Sequence, residues 1–512
     1  MTSSDTTDQR PHDRFDKRPD ERPDNRPVTG TGRGATTPDG AAADAGSDEQ
    51  TPEVVRLLLE ALGAKVRIDD ASLTRARTDE SGHATDAPPL AVVEAEDVED
   101  VQAVCRICTA TGTPIVSRGA GTGLAGGAIG GAGEVVLSTA RMNRVIEVSP
   151  ENRLAVVQPG VLNGALNAQL AEQGLWWPPD PASKDISSVG GNIATNAGGL
   201  LCAKYGVTRE SVLALKVVLA DGTLISVGHR TVKGVTGLDL CALMIGSEGV
   251  LGVIVECTLK LRPAITGPVP TIAAFFDDVE AAAHACSAIT AAHLEPAIME
   301  LLDEQILAAV SAHTGVDLVG RGRAYVLLQT DGAGAEATAE QIRAVLEENG
   351  ARAEFADDPA EAARLVEVRR QVHPAMTRLG TALIEDVAVP RDRLAAMYRK
   401  IAEIAQRHDV VIPTNAHAGD GNLHPTFIFS GDEVPQPVWD AADELFQYAI
   451  ELGGTLTGEH GVGILKRRWL GDELGTDQLA LQRRIKAAFD PDGLLNPGKV
   501  FAPAEQAPAN RR

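Results

Sequence analysis

The sequence predicts an α+β protein of at least two domains. With 512 residues, 44% of them hydrophobic, the chain is too long for a single hydrophobic core and apolar enough to build several. Strand-like and helix-like apolar segments alternate along most of it. A proline-bounded, linker-like stretch at 263–270 separates two regions, and the second has the pattern of an α+β domain.

The first region begins at Pro52 and contains most of the predicted strands. We expect helices at 54–62, 98–109 and 162–173, and strands at 90–93, 114–117, 134–137, 154–157, 212–219, 224–227 and 252–261. Asp221-Gly222 between two strands is a strong hairpin signal. Cys105 and Cys108 share the apolar face of one predicted helix, which favours buried thiols over a redox or metal pair.

The second region alternates longer helices with strands. We expect helices at 279–292, 336–348 and 360–378, and strands at 271–275, 324–329, 382–387 and 410–414. Residues 1–48 are rich in Asp, Arg, Pro, Gly and Thr and predict a disordered tail, because such a segment buries too little apolar surface to offset its ordering entropy. We expect a short second tail at residues 504–512.

Composition excludes several classes of function. The net charge of −24, without a long basic run, argues against nucleic-acid binding. An apolar span of about 20 residues and a secretory leader are both missing, so we expect a cytoplasmic protein, with peripheral membrane association left open. Six scattered cysteines indicate neither a disulfide framework nor an iron–sulfur centre of the chain's own.

Histidines concentrate near the carboxyl end. Of 11 histidines in the chain, three lie among glycines at His417, His424 and His460, the last preceded by Glu459. Imidazoles and a carboxylate suit zinc, and one further histidine is left to accept a proton near neutral pH. Histidines also serve as ordinary turn or core residues, so this pattern alone leaves both interpretations open.

Eight glycines fall between Gly119 and Gly133, directly after a predicted strand. Gly121-x-Gly123-x-x-Gly126 fits a dinucleotide fingerprint, but a Rossmann fold needs a helix here, and the glycines that follow disfavour one. Consecutive backbone amides in such a loop form an anion-binding concavity, to which Arg118 adds charge.

Two more loops have a similar character. One runs from Pro178 through Ser187 to Asn192 and offers hydroxyls, an amide and two glycines, while the other covers Gly246 to Gly252 before a strand. Each alone is typical of an ordinary turn. Three such loops together suit one large ligand with phosphates and a flat ring system.

Six motifs in order resemble the family of FAD-linked 2-hydroxy-acid dehydrogenases, which includes glycolate oxidase FAD subunits, D-lactate dehydrogenases and D-2-hydroxyglutarate dehydrogenases. They are SRGAGTGLAGG at 117–127, SSVGGNIATNAGG at 187–199, GSEGVLGV at 246–253, HAGDGNLHP at 417–425, GEHGVG at 458–463 and NPGK at 496–499. The resemblance spans 52–500, nearly everything except the tails.

The resemblance implies a two-subdomain FAD-binding domain of the vanillyl-alcohol-oxidase type with a ferredoxin-like substrate cap. We expect the FAD-binding domain at 49–265, the cap at 266–450, and a segment at 451–503 that returns to the FAD-binding domain. No histidine lies in the glycine loop, so non-covalent FAD is expected. A homodimer is compatible with the resemblance.

The resemblance also implies which residues contact FAD. They are Arg118, Gly119, Ala120, Gly121, Thr122, Gly123, Gly126, Gly127, Pro179, Asp180, Ser187, Ser188, Gly190, Gly191, Asn192, Ala194, Thr195, Gly249, Gly252, Val253, Ile254 and Asn496.

Catalytic roles follow from the same resemblance. His417, His424 and Glu459 match ligands of a divalent metal, taken as Zn²⁺, and His460 matches the base that removes the hydroxyl proton. Arg369 aligns with an arginine that binds the substrate carboxylate, although it also fits a solvated helix charge.

Three positions depart from the family. Relatives often have tryptophan at Val366, some have a substrate-binding asparagine at Thr426, and dicarboxylate-specific relatives have lysine at Ile384. Losing that lysine disfavours a second substrate carboxylate, so we expect D-lactate or glycolate rather than D-2-hydroxyglutarate. Oxygen, a quinone and an iron–sulfur protein all stay open as electron acceptor. The alternatives are a flavin-dependent oxidoreductase of another alcohol or of D-2-hydroxyglutarate, and a non-catalytic subunit of a glycolate oxidase complex.

Overall fold

In the described part of this α+β chain, helices pack on four β-sheets. A computed structural model describes residues 51–356, 358–431 and 433–502, so both predicted tails lie outside the described residues. The strands are β1 Val66–Arg67, β2 Ala91–Glu94, β3 Ile115–Arg118, β4 Val135–Ser138, β5 Val145–Ser149, β6 Leu154–Val157, β7 Leu175–Trp176, β8 Val212–Val218, β9 Leu224–Gly228, β10 Val253–Lys260, β11 Arg262–Pro263, β12 Thr271–Phe276, β13 Ile298–Leu302, β14 Ala324–Gln329, β15 Arg352–Phe355, β16 Thr381–Ile384, β17 Val387–Ala388, β18 Thr414–His417 and β19 Asn422–Phe429.

The helices cover the sheets. They are α1 Glu53–Leu62, α2 Asp70–Ala76, α3 Val98–Thr111, α4 Asn163–Ala171, α5 Val189–Thr195, α6 Cys202–Tyr205, α7 Leu240–Met244, α8 Val279–Ala291, α9 Glu304–Thr314, α10 Ala335–Glu348, α11 Pro359–Arg370, α12 Val372–Met376, α13 Leu394–His408, α14 Gln436–Glu451 and α15 Leu470–Phe489, the last kinked at Gly475. Within the described residues, no helix has the length and hydropathy needed to cross a membrane.

Local sequence signals explain several boundaries. The Asp97 side chain accepts a hydrogen bond from the backbone amide of Asp100 and so caps α3, which ends at left-handed Gly112. Cys105 and Cys108 point into the core from this helix, as predicted. The predicted hairpin at Asp221-Gly222 is confirmed by the antiparallel pairing of β8 with β9.

The first two sheets come from the amino-terminal half of the described chain. Strand order is β1-β2-β4-β3 in a four-stranded sheet, with β2 and β3 parallel to β4. An antiparallel five-stranded sheet has the order β5-β6-β10-β8-β9. Each sheet has its own buried core, and α3 packs beside the first of them. The loops between these strands include the glycine-rich segment.

An antiparallel eight-stranded sheet dominates the second half. Its order is β15-β12-β14-β13-β18-β19-β16, with β17 also paired to β19, while β7 and β11 form a separate two-stranded ribbon. Helices α8, α10, α13 and α14 contribute buried residues to the core on one face, and α9 and α12 do so on the other. The central strands β13, β18 and β19 carry the site described below.

Three predicted elements of the second half are wrong in detail. The helix expected at 360–378 divides into α11 and α12 ahead of Pro374, because proline lacks an amide donor and its ring clashes inside a continuous helix. The strand expected at 382–387 is broken at Glu385-Asp386, whose side chains are buried. The strand expected at 410–414 instead begins at Thr414, after Pro413.

Candidate active site

Two hairpin strands and one loop bring the three histidines together. Residues directly opposite each other in an antiparallel pair share one face, and β18 and β19 pair His417 with Asn422 and Asn415 with His424. His417 and His424 therefore lie on the same face of the sheet. The loop between α14 and α15 supplies Glu459 and His460 above that face.

Glu459 lies at the centre of the cluster. One of its carboxylate oxygens, Oε1, is 3.5 Å from His417 Nε2, 3.2 Å from His424 Nε2 and 3.8 Å from His460 Nε2. The His424 and His460 rings are stacked with centroids 5.0 Å apart. All four side chains are at least 85% buried, so their interactions are weakly screened by solvent.

The donor set of His417, His424 and Glu459 fits a divalent metal. One atom from each lies within 4.8 Å of the others. Two neutral imidazoles and a carboxylate are the ligands of many catalytic zinc sites, which keep a further position open. Buried His424 Nδ1 and His460 Nδ1 have no hydrogen-bond partner among the described residues.

The electrostatics of the cluster differ from one histidine to the next. Burial lowers the pKa of His460 to about 4, so its imidazole is neutral and able to accept a proton at neutral pH. Burial alone would also lower the pKa of His417, but the carboxylates of Glu300 and Glu459 raise it well above its usual range. The region around His417 therefore favours positive charge.

Asp386 holds the Glu459-His460 turn in place. Its Oδ2 accepts hydrogen bonds from the backbone amides of Glu459 at 3.0 Å and His460 at 2.9 Å, and from Thr457 Oγ1 at 2.6 Å. Asp386 is fully buried. Burial alone would raise the pKa of this carboxyl, but neighbouring groups, led by the Lys466 ammonium, hold it well below its usual range.

Arg369 reaches the cluster from α11. Its Nε donates a 2.6 Å hydrogen bond to Glu300 Oε2, and His417 Nδ1 donates one of 2.6 Å to Glu300 Oε1. Glu300 and Asp386 were not predicted as functional residues. A signal for Glu300 does exist, since it is the one acidic residue of the apolar segment Ile298–Leu302.

The glycine loop is irregular, as predicted, and packs against the second loop. A Cβ added at Gly119 would lie 2.6 Å from Ser188 Oγ, so only glycine permits this approach. Arg118 Nη1 donates hydrogen bonds of 2.8 Å to the carbonyl of Thr78 and 2.9 Å to that of Ala128. The guanidinium therefore braces the loop as well as adding positive charge beside it.

The second loop offers unsatisfied polar atoms for a ligand. Ser187 Oγ and Asn192 Nδ2 are buried without a hydrogen-bond partner among the described residues. A cavity of about 370 Å³ is lined by Ala120 and Ser188 from the two loops and by apolar side chains such as Leu166. Buried polar atoms without partners are uncommon in proteins, so this cradle fits a large polar cofactor such as FAD.

The third loop joins both other parts of the site. Asn496 Nδ2 donates to the Glu248 carbonyl at 2.6 Å, and a Cβ at Gly249 would lie 2.2 Å from Ser117 Oγ. The Glu248 carboxylate accepts hydrogen bonds from the amides of Val462 at 2.7 Å and Gly463 at 2.8 Å. The histidine loop and the glycine-rich loops are thus directly connected.

Other predicted cofactor residues lie deeper. Val253 and Ile254 are buried in β10, and a Cβ at Gly252 would lie 2.4 Å from Val217. The Pro179 carbonyl accepts from Asn163 at 2.8 Å. Burial raises the pKa of Asp180 to about 7.

Comparisons with known proteins show the family and the fold of this chain. Residues 89–228 match the FAD binding domain family, and residues 268–500 match the C-terminal domain of FAD linked oxidases. The p-cresol methylhydroxylase structure has a TM-score of 0.72 at 17% identity, covering 88% of this chain and 97% of its own. For 4-ethylphenol oxidase from Gulosibacter chungangensis the TM-score is 0.71 at 20% identity, covering 90% and 99%. The fold is therefore that of the vanillyl-alcohol-oxidase flavoproteins, with FAD-binding and cap domains.

Relatives with similar sequences show to which family of flavoproteins the chain belongs. Glycolate oxidase subunit GlcD of Bacillus subtilis is 41% identical over 81% of this chain and 89% of its own length. D-lactate dehydrogenase of Archaeoglobus fulgidus is 34% identical over 81% and 92%, and D-2-hydroxyglutarate dehydrogenase of Xanthomonas citri is 36% identical over 82% and 91%. The chain belongs to this family of FAD-linked 2-hydroxy-acid oxidoreductases.

Proposed function

We propose that this protein oxidises a small D-2-hydroxy acid, D-lactate or glycolate, to the corresponding 2-oxo acid. The observation that carries the proposal is the convergence of His417, His424 and Glu459 on one buried point, with the neutral imidazole of His460 stacked beside them. Arg369 stands next to this point through its bond to Glu300. A carboxylate and an adjacent hydroxyl are the two groups that such an arrangement recognises.

Each side chain has a distinct task. The Arg369 guanidinium binds the substrate carboxylate, and its planar fork fixes the orientation of the acid. His460 accepts the hydroxyl proton, because burial keeps its imidazole neutral. Asp386 holds the backbone of Glu459 and His460, so the base keeps a fixed position relative to the ligands.

Two groups from solution complete the site. FAD, held non-covalently by the glycine-rich loops, supplies a hydride acceptor for the hydrogen on the substrate C2. A divalent metal, Zn²⁺ by its donor set, would be held by His417, His424 and Glu459 and would supply Lewis acidity that lowers the pKa of the substrate hydroxyl. The partnerless atoms Ser187 Oγ and Asn192 Nδ2 support the cofactor assignment.

A monocarboxylate is favoured over a dicarboxylate. Ile384 and Thr426 lie directly opposite each other on β16 and β19, and Thr426 shares its face of β19 with His424. Neither residue carries a charge. Lys466 is buried and donates to the Asp386 and Leu456 carbonyls, so its ammonium is already engaged.

The division of the chain follows from the same proposal. We assign 49–265 and 451–503 to the FAD-binding domain and 266–450 to the cap. The cap start at 266 lies close to residue 268, where the match to the C-terminal domain of FAD linked oxidases begins; that match continues to residue 500, and the FAD binding domain match covers 89–228. The two electrons taken from the substrate would pass from the reduced flavin to an external acceptor, for which a quinone, an iron–sulfur protein and oxygen are the candidates. Peripheral membrane association and a homodimer are compatible with this assignment.

A substrate panel tests the proposal. The purified, FAD-loaded chain is assayed with an artificial electron-accepting dye against D-lactate, L-lactate, glycolate, D-2-hydroxyglutarate and a simple alcohol. We expect turnover with D-lactate or glycolate and little with the others. Turnover of the alcohol alone, or of no compound, would overturn the assignment.

A further inference from the structure

Glu300 is a carboxylate in an apolar setting. It lies in the middle of β13, its side chain is fully buried, and every other residue of that strand is apolar. An ionised carboxylate in such a place is costly unless both oxygens are hydrogen-bonded. Both are, and their partners are two residues of the proposed site.

The fold sets both contacts. Glu300 and His417 are directly opposite in the pairing of β13 with β18, which puts Oε1 2.6 Å from His417 Nδ1. Arg369 comes from α11 on another side, and its Nε is 2.6 Å from Oε2. Within the described part of the chain, neither Nη nitrogen of Arg369 has a hydrogen-bond partner, so both stay available to a ligand.

We propose that Glu300 is a positioning residue that fixes His417 for metal binding and Arg369 for carboxylate binding at the same time. This inference rests on the proposed function and deepens it. By accepting a hydrogen bond from Nδ1 of His417, Glu300 fixes the ring so that Nε2 faces Glu459 and is the nitrogen that would bind the metal. By engaging Nε of Arg369, it leaves the two Nη groups to grip a carboxylate end-on.

Only a carboxylate performs both tasks. His417 Nδ1 and Arg369 Nε are both donors, and each needs an acceptor. Glutamine offers one acceptor oxygen and one donor nitrogen, so in Glu300→Gln one of the two partners faces another donor. Metal affinity and carboxylate affinity are therefore both expected to fall in this variant.

The experiment measures two equilibria in the FAD-loaded protein. Zn²⁺ affinity is measured by competition with a coloured chelator, and affinity for pyruvate, a product-like carboxylate, by the change of the flavin spectrum in metal-stripped protein. We expect Glu300→Gln to weaken Zn²⁺ by about 10–100-fold and pyruvate by about tenfold. Glu304→Gln, an exposed carboxylate paired with Arg323, is the matched control and should leave both unchanged.

A double variant separates positioning from general damage. In Arg369→Ala, pyruvate affinity falls and Zn²⁺ affinity is retained, and adding Glu300→Gln should weaken pyruvate no further. A purely structural role would lower the thermal midpoint without changing either affinity. If Glu300→Gln changes neither the Zn²⁺ affinity nor the pyruvate affinity, or lowers only one of them, Glu300 does not position both His417 and Arg369. That result would leave the proposed function intact. If the wild-type protein takes up no Zn²⁺, both the proposed metal site and the proposed role of Glu300 are wrong.

Discussion

The carboxylate of Glu248 accepts a 2.8 Å hydrogen bond from the backbone amide of Gly463. Glu248 belongs to the third glycine loop, and Gly463 follows the Glu459-His460 turn. The contact is buried, and a second bond from Val462 accompanies it. The loops that fit the cofactor are therefore held in register with the histidines, across 215 residues of sequence.

Replacing this carboxylate should loosen that register. In Glu248→Gln, one of the two backbone amides faces a side-chain amide donor, a loss of about 1–3 kcal/mol. We expect a lower thermal midpoint and faster release of FAD during dialysis. Glu256→Gln is the control, since that side chain lies on β10 and pairs with Lys216 near the surface. Equal FAD retention in both variants would contradict the proposed role of the contact.

His460 should be needed for chemistry and not for cofactor binding. His460→Ala removes the neutral imidazole that accepts the hydroxyl proton, so we expect flavin reduction to slow by about 10²–10⁴-fold with FAD content unchanged. Rapid mixing with substrate under anaerobic conditions measures the rate. His83→Ala, at an exposed histidine, serves as control. Fast reduction in the His460 variant would assign the base elsewhere.

Metal removal should stop turnover without releasing FAD. Chelation takes away the ion that polarises the substrate hydroxyl, while the glycine-rich loops keep their own contacts. Activity should return with Zn²⁺, or with another divalent ion of similar ligand preference. Single replacements His417→Ala and His424→Ala should lower the metal content of the protein measured by elemental analysis. Full activity in metal-free wild-type protein would show that no ion is required.

Substrate choice should depend on Ile384. In Ile384→Lys, an ammonium enters beside Thr426, directly across the sheet. We expect kcat/KM for D-2-hydroxyglutarate to rise about tenfold or more, and that for D-lactate to fall, because the new cation can pair with a second carboxylate. Ile384→Leu controls for the change of shape. If Ile384→Lys and Ile384→Leu show the same preference between D-lactate and D-2-hydroxyglutarate, the distal end of the substrate does not lie beside residue 384.

A cation cluster between two helices predicts acid sensitivity. Burial alone would raise the pKa of Glu444 on α14, but hydrogen bonds from Lys400, Arg407 and His408 of α13 lower it to about 2. A carboxyl with a lowered pKa stabilises the fold above its usual value of 4.5, and this contribution disappears as the pH falls towards 2.

Glu444→Gln should therefore destabilise the protein by about 1 kcal/mol near neutral pH, a value reduced by solvent screening. The difference from wild type should shrink as the pH falls below about 4.5. Urea denaturation at several pH values measures it. Glu451→Gln, on the same helix, is the control. If the difference in free energy of unfolding stays constant as the pH falls towards 2, Glu444 is not ionised more readily in the folded state than in the unfolded state.

The sequence predicts well those parts of the fold that local patterns determine. Elements such as 154–157 and 324–329 appear with the predicted bounds, because short apolar runs between turn residues leave little choice. The loop at 119–133 is non-helical because its glycines disfavour a helix. His417, His424, Glu459 and His460 converge as their glycine context suggests.

The site residues and strands that could not be predicted from the sequence depend on pairing between distant segments of the chain. Glu300 interrupts an apolar strand, and its meaning appears only when β18 places His417 opposite it. Asp386 lies in a strand break that local alternation hides, and its partners come from about 70 residues further on. Strand β19 contains both His424 and Pro425, so its alternation is weak.

The most direct test of the central claim is a single anaerobic turnover. FAD-loaded protein is mixed with D-lactate or glycolate, and with the same acid deuterated at C2, while the flavin absorbance is followed. We expect bleaching of the oxidised flavin with one 2-oxo acid formed per flavin, and slower bleaching with the deuterated acid. A flavin spectrum that stays oxidised with every small 2-hydroxy acid would contradict it.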